Sequence, residues 1–440
     1  MADKLTPQQS QAVHNRGGKL LVSAAAGSGK TKVLVDRLLT YLTEPHDPAN
    51  LDDFLMITYT KAAASELRGK IAAKLSQRIA QEPENRHLQK QMQRIYLAKI
   101  STVHGFCGDI LREYAYRLDI PADFRVADEN ECRQIRDQVL ADLLDRAYAE
   151  EDDPDFRAFV DSQGLGRDDR LVPQIIEKVY DSARCHLNPE QWLQSCVDLQ
   201  ENDETEDAAQ TVWGRYLLED LHDYLDSQIR VLRQCAKALD ACDGMEKPAV
   251  NLRDTLYQLE ALREKNSWDE TVNARAIDYG RLVFPKKNGD PELADRVKAA
   301  RNGCKKGLDK KLRNFTDQSS QVLDDLRQSA SGARGLASLV EQFSRDYRAV
   351  KRSRRILDFG DLEHYTLELL PGQSRTNPTT AAAEIGSRFR EILVDEYQDS
   401  NAVQDAIFSA LSREKQNCFL VGDVKQSIYQ FRLADPGIFL

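Results

Sequence analysis

The chain has 440 residues, of which 41% are hydrophobic and 30% charged, and a formal net charge of −10. This length allows two or three domains, each with its own core. The chain contains neither an apolar run of about 18 residues nor a signal-peptide layout, which argues against a membrane span. Eight scattered cysteines without a C-x-x-C pair argue against a structural zinc site or disulfide framework and fit a reducing cytoplasm. The acidic balance disfavours a nonspecific DNA coat but leaves room for a local basic face.

Short apolar strands alternate with amphipathic helices near both ends of the chain. The strands are predicted at 19–23, 53–59, 99–103, 391–395 and 417–422. The helices among them are predicted at about 30–42, 61–78, 105–116 and 403–411. This alternation predicts an α/β fold with a parallel, doubly wound sheet and helices on both faces.

The middle of the chain has a different sequence pattern. Between about 118 and 350 the sequence is charged and mostly helical by periodicity, and short apolar strand segments resume only afterwards. The sequence therefore predicts an α/β domain formed by residues 1–117 and 351–440, with a helical domain at 118–350 inserted into it.

A glycine-containing loop follows the first strand and opens a helix, which is the context of a phosphate-binding loop. Its predicted nucleotide-binding residues are Ala26, Gly27, Ser28, Gly29, Lys30 and Thr31. Loop amides and the helix N-terminus should point at the phosphates. Lys30 should neutralise the β- and γ-phosphates, and the Thr31 hydroxyl should bind Mg²⁺. Ala24 occupies the first glycine of the usual pattern, but the tight Gly-Ser-Gly turn remains. The predicted ligands are ATP and Mg²⁺.

Two carboxylates follow the fourth strand, at the sheet edge that should face the glycine loop. Asp395 is suited to hold Mg²⁺, and Glu396 to take a proton from the attacking water. Gln426, just past the fifth strand, is suited to sense the γ-phosphate. Lys30, Asp395, Glu396 and Gln426 are therefore the predicted catalytic residues.

Hydroxyl and aromatic residues at other strand ends suit an unpaired nucleic acid. The predicted DNA-binding residues are Thr58, Tyr59, Thr60, Thr102, His104, Phe431 and Arg432. Hydroxyls can bond phosphate oxygens, and aromatic faces can stack on bases without sequence preference. Phe106 could belong to this row or to the core.

These segments together resemble superfamily 1 helicases of the UvrD/PcrA/RecB type, which implies a RecA-like P-loop NTPase domain. LTPQQSQAV at 5–13 is similar to that group's Q motif, in which Gln9 would read the adenine edge. Lys30 and Thr31 match its Walker A residues, Asp395 and Glu396 its Walker B pair, and Gln426 its γ-phosphate-coupling glutamine. Lys61 departs from the family, which usually has asparagine there.

Several stretches look specifically like the AddA family, which comprises one of the two chains of bacterial ATP-dependent helicase/nucleases. They include RLDIPADFRVADENE at 117–131, LDFGDLEHYTLELL at 357–370 and GDVKQSIYQFRLADP at 422–436. The resemblance implies ATP-driven 3′→5′ translocation on single-stranded DNA and unwinding of duplex ends. It also implies a role in recombinational double-strand break repair beside an AddB-like partner protein.

The family's second RecA-like lobe, with its catalytic arginines, and its nuclease domain are absent from these 440 residues. The resemblance therefore predicts a chain that binds ATP and DNA but hydrolyses ATP poorly by itself. A fragment of a stand-alone UvrD/PcrA-like repair helicase and a non-motor DNA-binding scaffold fragment remain alternatives. A basic stretch from Lys286 to Arg313 could lie along duplex phosphates or form a solvated helix face.

Overall fold

The computed structural model describes residues 5–25, 27–150, 152–163, 170–201, 205–285, 290–372, 377–412, 417–423 and 425. The chain divides into two compact units. The first comprises Met1–Glu151, Arg170–Leu193 and Ser338–Leu440, and the second comprises Asp152–Asp169 and Gln194–Ala337. Within the described residues, no helix combines the length and apolarity that crossing a membrane requires.

A five-stranded parallel sheet forms the centre of the first unit. The strands in chain order are β1 (Gly18–Ser23), β2 (Phe54–Thr58), β3 (Lys99–Thr102), β4 (Arg125–Val126), β5 (Ile356–Leu357), β6 (Glu391–Val394) and β7 (Asn417–Gly422). The sheet order is β1-β7-β6-β2-β3, and β4 and β5 form a separate parallel pair. Because all neighbours in the sheet are parallel, the carboxyl ends of its five strands share one edge.

Seventeen α-helices are present in the described part of the chain. In order they are α1 (Pro7–His14), α2 (Lys30–Leu42), α3 (Lys61–Gln81), α4 (Arg86–Gln93), α5 (Val103–Glu113), α6 (Glu129–Ala149), α7 (Pro154–Gln163), α8 (Leu171–Ala183), α9 (Pro189–Asp198), α10 (Val212–Asp240), α11 (Glu246–Arg263), α12 (Trp268–Ala274), α13 (Pro291–Leu312), α14 (Ser319–Ser353), α15 (Phe359–Leu369), α16 (Thr380–Gly386) and α17 (Ala402–Leu411). The predicted helix at 30–42 matches α2, and the predicted strand at 417–422 matches β7.

Both faces of the sheet are covered by apolar side chains. Along the fully buried β2, Phe54 and Met56 join one core, whereas Leu55 and Ile57 join the other. This alternation follows from the two-residue period of a strand. Each such buried side chain contributes roughly 1.5–3 kcal/mol relative to exposure. The predicted α/β fold, with a parallel sheet covered on both faces, is confirmed.

The second unit is smaller than the helical insert predicted at 118–350. Residues 118–151, 170–193 and 338–350 cluster with the first unit instead. The contacts explain why: β4 pairs with β5, and the Arg184 guanidinium lies 3.3 Å from an Asp361 carboxylate oxygen of α15. Helical periodicity in the sequence cannot show which core a helix joins, so these segments could not be assigned correctly from pattern alone.

The second unit is built around α10. Ion pairs join Arg233 to Glu260 and Arg263 to Asp226, which places α11 antiparallel to α10. On its other flank α10 contacts α13, where the Tyr224 hydroxyl donates to the Cys304 carbonyl oxygen at 3.1 Å. Leucines at three- and four-residue spacing along α10 supply the buried stripe between these helices.

Candidate active site

The glycine loop leads from β1 into α2 with two left-handed residues. Gly27 has φ 74° and Gly29 has φ 84°, a region that other residues rarely adopt. Gly29 is the N-cap residue of α2, and as a glycine it has no side chain to cap the helix. The helix N-terminus therefore presents amide donors and a partial positive charge to an anion. Ala26 lies outside the described residues.

Gln9 joins the first helix of the chain to this loop. Its side-chain amide donates to the Ser28 carbonyl oxygen at 2.8 Å, while its Oε1 accepts from the Thr6 amide at 2.9 Å. Thr6 and Gln9 form a capping box that starts α1. The predicted adenine-reading residue therefore sits directly against the glycine loop.

The glycine loop meets the carboxylates after β6 through an ion pair. The Lys30 Nζ lies 2.9 Å from Glu396 Oε2, although 366 positions separate the two residues. Lys30 is the first residue of α2, and Glu396 follows β6 by two residues, so parallel strand ends bring them together. Thr31, the second residue of α2, is half-buried.

Negative charge is crowded around this ion pair. Burial, reinforced by the Glu396 charge, raises the pKa of Asp395 to about 6. Asp395 Oδ1 accepts from the Glu396 amide at 3.0 Å, and Glu396 itself adopts a left-handed conformation with φ 52°. Such a conformation is uncommon for a residue with a side chain and marks a constrained position.

Two further residues after β6, which the sequence pattern did not single out, belong to this site. Gln398 is buried, donates to Glu396 Oε2 at 2.9 Å and accepts from the Asp423 amide at 2.8 Å. Burial and the Glu396 charge raise the pKa of Asp399 to about 6. The Asp399 Oδ1 atom is buried without a hydrogen-bond partner among the described residues. The stretch DEYQD at 395–399 therefore contributes more to the site than the predicted carboxylate pair.

The site's donors suit Mg²⁺ bound together with phosphates. Burial and the neighbouring Glu396 charge raise the pKa values of Asp395 and Asp399, and a divalent cation beside these carboxyl groups would offset both effects. No cluster of three or more His, Cys, Asp or Glu side chains in the described ranges is arranged to hold a metal. Proteins usually bind Mg²⁺ through one or two carboxylates, water and substrate phosphates. Thr31 and Asp395 are the residues that would hold it.

The hydroxyl row at the ends of β2 and β3 is largely engaged within the protein. Thr58 is buried and donates to the Thr60 carbonyl oxygen at 3.2 Å, so its hydroxyl does not face outward as expected. The Thr60 and Thr102 hydroxyl oxygens accept hydrogen bonds from backbone amides at the starts of α3 and α5. Both threonines therefore act as N-caps, a role that Thr commonly has at helix starts.

Tyr59 also directs its polar end inward. Its hydroxyl lies 2.5 Å from the Ser400 hydroxyl and 3.2 Å from Gln404 Oε1, and burial raises its pKa. Phe106 belongs to the core, with its ring 6.3 Å from that of Phe389. Phe106 therefore fills the core, whereas for Tyr59 it is the hydroxyl that is bonded within the protein.

His104 is more accessible and has an aromatic neighbour that the sequence pattern did not reveal. The His104 Nε2 lies 3.1 Å from Glu363 Oε1, and its ring lies 4.6 Å from the Phe359 ring. Phe359 is 53% exposed at the first position of α15. An exposed aromatic ring beside the end of β3 offers a stacking surface for a base. Gln426, Phe431 and Arg432 lie outside the described residues.

The basic stretch at 286–313 separates into paired and unpaired cations. Arg301 is buried and donates to the Gly280 carbonyl oxygen, Lys298 pairs with Asp295, and Lys311 pairs with Asp220. Three other residues are exposed, share one face of α13 or its end, and form no ion pair within the described ranges: Lys306, Lys310 and Arg313. Lys286 and Lys287 lie outside the described residues.

A parallel sheet with a glycine loop after β1 and acidic residues after β6 defines a P-loop nucleotide-binding domain of the RecA-like type. The model of one family, described as the UvrD/REP helicase N-terminal domain, matches residues 5–440, and the chain belongs to that family.

Curated relatives are named as the A chain of an ATP-dependent helicase/nuclease. The Geobacillus thermodenitrificans (strain NG80-2) protein is 36% identical over 447 residues, covering 99% of this chain and 36% of its own length. The Pelotomaculum thermopropionicum protein is 37% identical over 456 residues, covering 100% and 36%. The Clostridium perfringens (strain 13 / Type A) protein is 35% identical over 454 residues, with the same coverages. The chain thus spans about a third of the length of the relatives it matches, and the predicted resemblance to the AddA family is confirmed.

Proposed function

We propose that this chain is the ATP-binding half of a DNA helicase motor of the AddA kind. The observation that carries the proposal is the 2.9 Å contact between Lys30 and Glu396. It joins the phosphate-binding loop to the carboxylate that would serve as general base, on a sheet edge where four other strands also end. The similarity to helicase/nuclease relatives along almost the whole chain favours this kind over a stand-alone repair helicase.

Each residue of the site has a distinct task in this proposal. The amides of α2 and the glycine loop hold the triphosphate, and Lys30 exchanges Glu396 for phosphate oxygens. Thr31 and Asp395 hold Mg²⁺, which supplies positive charge to the phosphates. Glu396, then released from Lys30 and still oriented by Gln398, takes the proton of the attacking water. Gln426 senses the γ-phosphate.

Single-stranded DNA is the proposed track of the motor. Phe359 supplies an exposed ring for a base and His104 a polar contact beside it. Tyr59, Phe431 and Arg432 are the further contacts implied by the family resemblance. From the same resemblance we infer 3′→5′ translocation and processing of duplex ends in recombinational repair. The relatives' name, which marks them as one component of a helicase/nuclease, supports an AddB-like partner protein. Eight free cysteines are compatible with work in the cytoplasm.

The exposed face of α13 is the proposed contact for duplex DNA. Lys306, Lys310 and Arg313 follow one another at spacings of four and three residues, so they point the same way from the helix. Cations without carboxylate partners are the groups that gain most from phosphate oxygens, because no ion pair has to be broken.

We further propose that the 440-residue chain by itself binds ATP but hydrolyses it slowly. Helicases of the resembled family close ATP between two lobes, and the second lobe contributes arginines to the transition state. The described residues form one five-stranded sheet, which would supply one side of such a site. Binding and hydrolysis should therefore separate experimentally in this chain.

The Lys30–Glu396 pair allows a direct test, because its two members should have opposite effects on ATP binding. Lys30→Ala removes the cation that holds the phosphates, and loss of such charge-assisted bonds costs about 1.5–3 kcal/mol, or roughly 10- to 100-fold in Kd. Glu396→Gln removes the competing anion, so affinity should stay or rise. Fluorescent ATP-analogue titration with Mg²⁺ measures both.

Arg78→Ala is a suitable control, since Arg78 forms an exposed ion pair with Glu82 at the C-terminal end of α3 and should leave affinity unchanged. Unaltered ATP binding by Lys30→Ala would contradict the proposed site.

A further inference from the structure

The first helix of the chain combines a small apolar contact with hydrogen bonds at both of its ends. Val13 is the buried residue of α1, the half-buried Ala12 packs against the same core, and the helix has only eight residues. Because this apolar contact is small, the hydrogen bonds at the two ends of α1 help to fix its position. At one end, Gln9 of α1 donates to the Ser28 carbonyl oxygen of the glycine loop.

At the other end of α1, a buried arginine of α2 donates hydrogen bonds to backbone carbonyl groups. Arg37 is 1% exposed, and its Nη1 donates to the Ala12 carbonyl oxygen at 2.7 Å and to the Asn15 carbonyl oxygen at 2.6 Å. The rest of its guanidinium forms a bidentate pair with Glu391 of β6, at 2.8 Å and 2.5 Å.

The donors of the Arg37 guanidinium bind two different partners. The carboxylate of Glu391, which also accepts from the Tyr41 hydroxyl at 3.1 Å, fixes the guanidinium plane within the core. The remaining donors then face the carbonyl groups at the end of α1. A planar fork with five donors can satisfy a carboxylate and two carbonyl groups together, whereas a lysine ammonium cannot reach all of them in one geometry.

We infer that Arg37 is a positioning residue for nucleotide-base selection, acting through α1 on Gln9. The inference rests on the proposed function, in which the phosphates of a nucleotide lie on the glycine loop, and on the family resemblance, which implies that Gln9 meets the base. A glutamine amide pairs with the adenine edge through one donor and one acceptor. Guanine offers two acceptors at the corresponding atoms, so it lacks the donor for Gln9 Oε1. A correctly placed Gln9 therefore favours ATP over GTP.

The test compares the affinities of fluorescent ATP and GTP analogues, with Mg²⁺, for the 440-residue chain and four variants. Arg37→Lys keeps a cation for Glu391 but loses the fork to α1. Gln9→Ala removes the amide itself, and the double variant combines both changes. Arg94→Lys is the matched control. Arg94 pairs with Asp52, which lies just before β2, and neither residue belongs to α1. Thermal melting of each variant reports the fold.

We expect Arg37→Lys to lower the preference for ATP over GTP about as much as Gln9→Ala, by a factor of about 10. The double variant should show no further loss, because the two residues act in one chain of contacts. GTP affinity should stay within about twofold of the unmodified chain. Arg94→Lys should change neither value.

Three results would overturn the inference: unchanged selectivity in Arg37→Lys, additive losses in the double variant, or equal weakening of both nucleotides with a lowered melting temperature. The last describes a purely structural arginine. If Lys30→Ala binds both nucleotides as well as the unmodified chain, the proposed nucleotide site itself is wrong. If instead Lys30→Ala weakens nucleotide binding but Arg37→Lys keeps the preference for ATP over GTP, only the inference about Arg37 is wrong.

Discussion

Glu363 shows how a single buried carboxylate can link the strand ends of the site. It accepts from Gln404 at 2.7 Å and contacts the His104 ring nitrogen at 3.1 Å, and Gln404 in turn meets the Tyr59 hydroxyl. Burial opposes its charge, but the bonds from His104 and Gln404 outweigh burial and hold the pKa of Glu363 below its ordinary value. The residue connects the ends of β2 and β3 through α15 and α17.

We predict that Glu363→Gln lowers the stability of the first unit by about 1–2 kcal/mol at pH 7, because charge-assisted hydrogen bonds become neutral ones. A lowered pKa means that the stabilisation is present above the unfolded-state pKa and is lost as pH falls through the folded-state value. The difference between the two proteins should therefore shrink below about pH 4.5. Denaturant unfolding at several pH values measures it.

Glu368→Gln, an exposed position on the same helix, controls for the loss of one charge and should have little effect at any pH. A Glu363→Gln deficit that grows with acidification would contradict the assigned pKa direction.

Lys351 is a buried residue within a run of charged residues. By sequence alone, the basic run KRSRR at 351–355 could lie along duplex phosphates or form a solvated helix face. In the structure Lys351 is 1% exposed and pairs with Asp358 and Asp361 at 2.7 Å and 2.5 Å. Arg352 pairs with Asp119 at 2.6 Å. Lys351 therefore stabilises the first unit from inside, and its charge is not free for a ligand.

At the scale of elements, helix glycines distinguish close packing from open surface. A Cβ at Gly335 of α14 would lie 2.2 Å from the Asp155 carbonyl oxygen, whereas a Cβ at Gly303 of α13 would meet nothing within 4 Å. Both glycines lie inside helices, where alanine is favoured by about 1 kcal/mol. Alanine substitutions at Gly335 and Gly303 therefore distinguish the effect of helix propensity from the effect of packing.

We predict that Gly335→Ala destabilises the second unit by about 1–3 kcal/mol, because a backbone carbonyl cannot move away without shifting α7. Gly303→Ala should instead stabilise it by up to about 1 kcal/mol. Thermal or denaturant unfolding of the two variants compares them directly. Equal effects of the two substitutions would show that α7 and α14 are not packed as described.

The exposed face of α13 gives a second prediction at this scale. Changing Lys306, Lys310 and Arg313 to glutamate should weaken binding of a blunt duplex. It should also reduce the salt-dependence slope by about 2–3, since each lost phosphate contact removes about 0.9. Fluorescence anisotropy at several salt concentrations measures the slope.

The matched control makes the same charge change on exposed cations of α10 and α11: Arg230, Lys237 and Lys247. Arg230 and Lys237 border a groove that also contains Asp226 and Glu260, so they gain less from phosphates. Equal slopes for both triple variants would indicate a general charge effect and refute a specific duplex face.

At the scale of the whole molecule, binding and turnover are expected to separate. We predict that the 440-residue chain binds the ATP analogue with Lys30-dependent affinity. Its ATP turnover with single-stranded DNA should lie about 10³-fold or more below that of a complete motor, because the arginines of a second lobe contribute that much to the transition state. Phosphate-release kinetics measure turnover, and the binding titration serves as the control. Rapid DNA-stimulated hydrolysis by this chain would contradict the prediction.

The sequence alone determined the fold class, the glycine loop and its lysine, and the acidic pair after β6. These features are local: a strand's apolar run, a glycine turn and a helix start lie within about 15 consecutive residues. The resemblance to the UvrD-type family rests on the same local segments. Residues 19–42 and 391–396 therefore needed no tertiary information to be recognised.

Only the tertiary structure decided which side chains point outward and which partners they meet. It directed the Thr58 and Tyr59 hydroxyls inward, revealed Phe359 beside His104, and added Gln398 and Asp399 to the carboxylate pair. It also assigned 118–151 and 170–193 to the first unit. Partners that lie far apart along the chain leave no periodic signal, because burial and hydrogen bonding are set by packing between elements rather than by neighbouring residues.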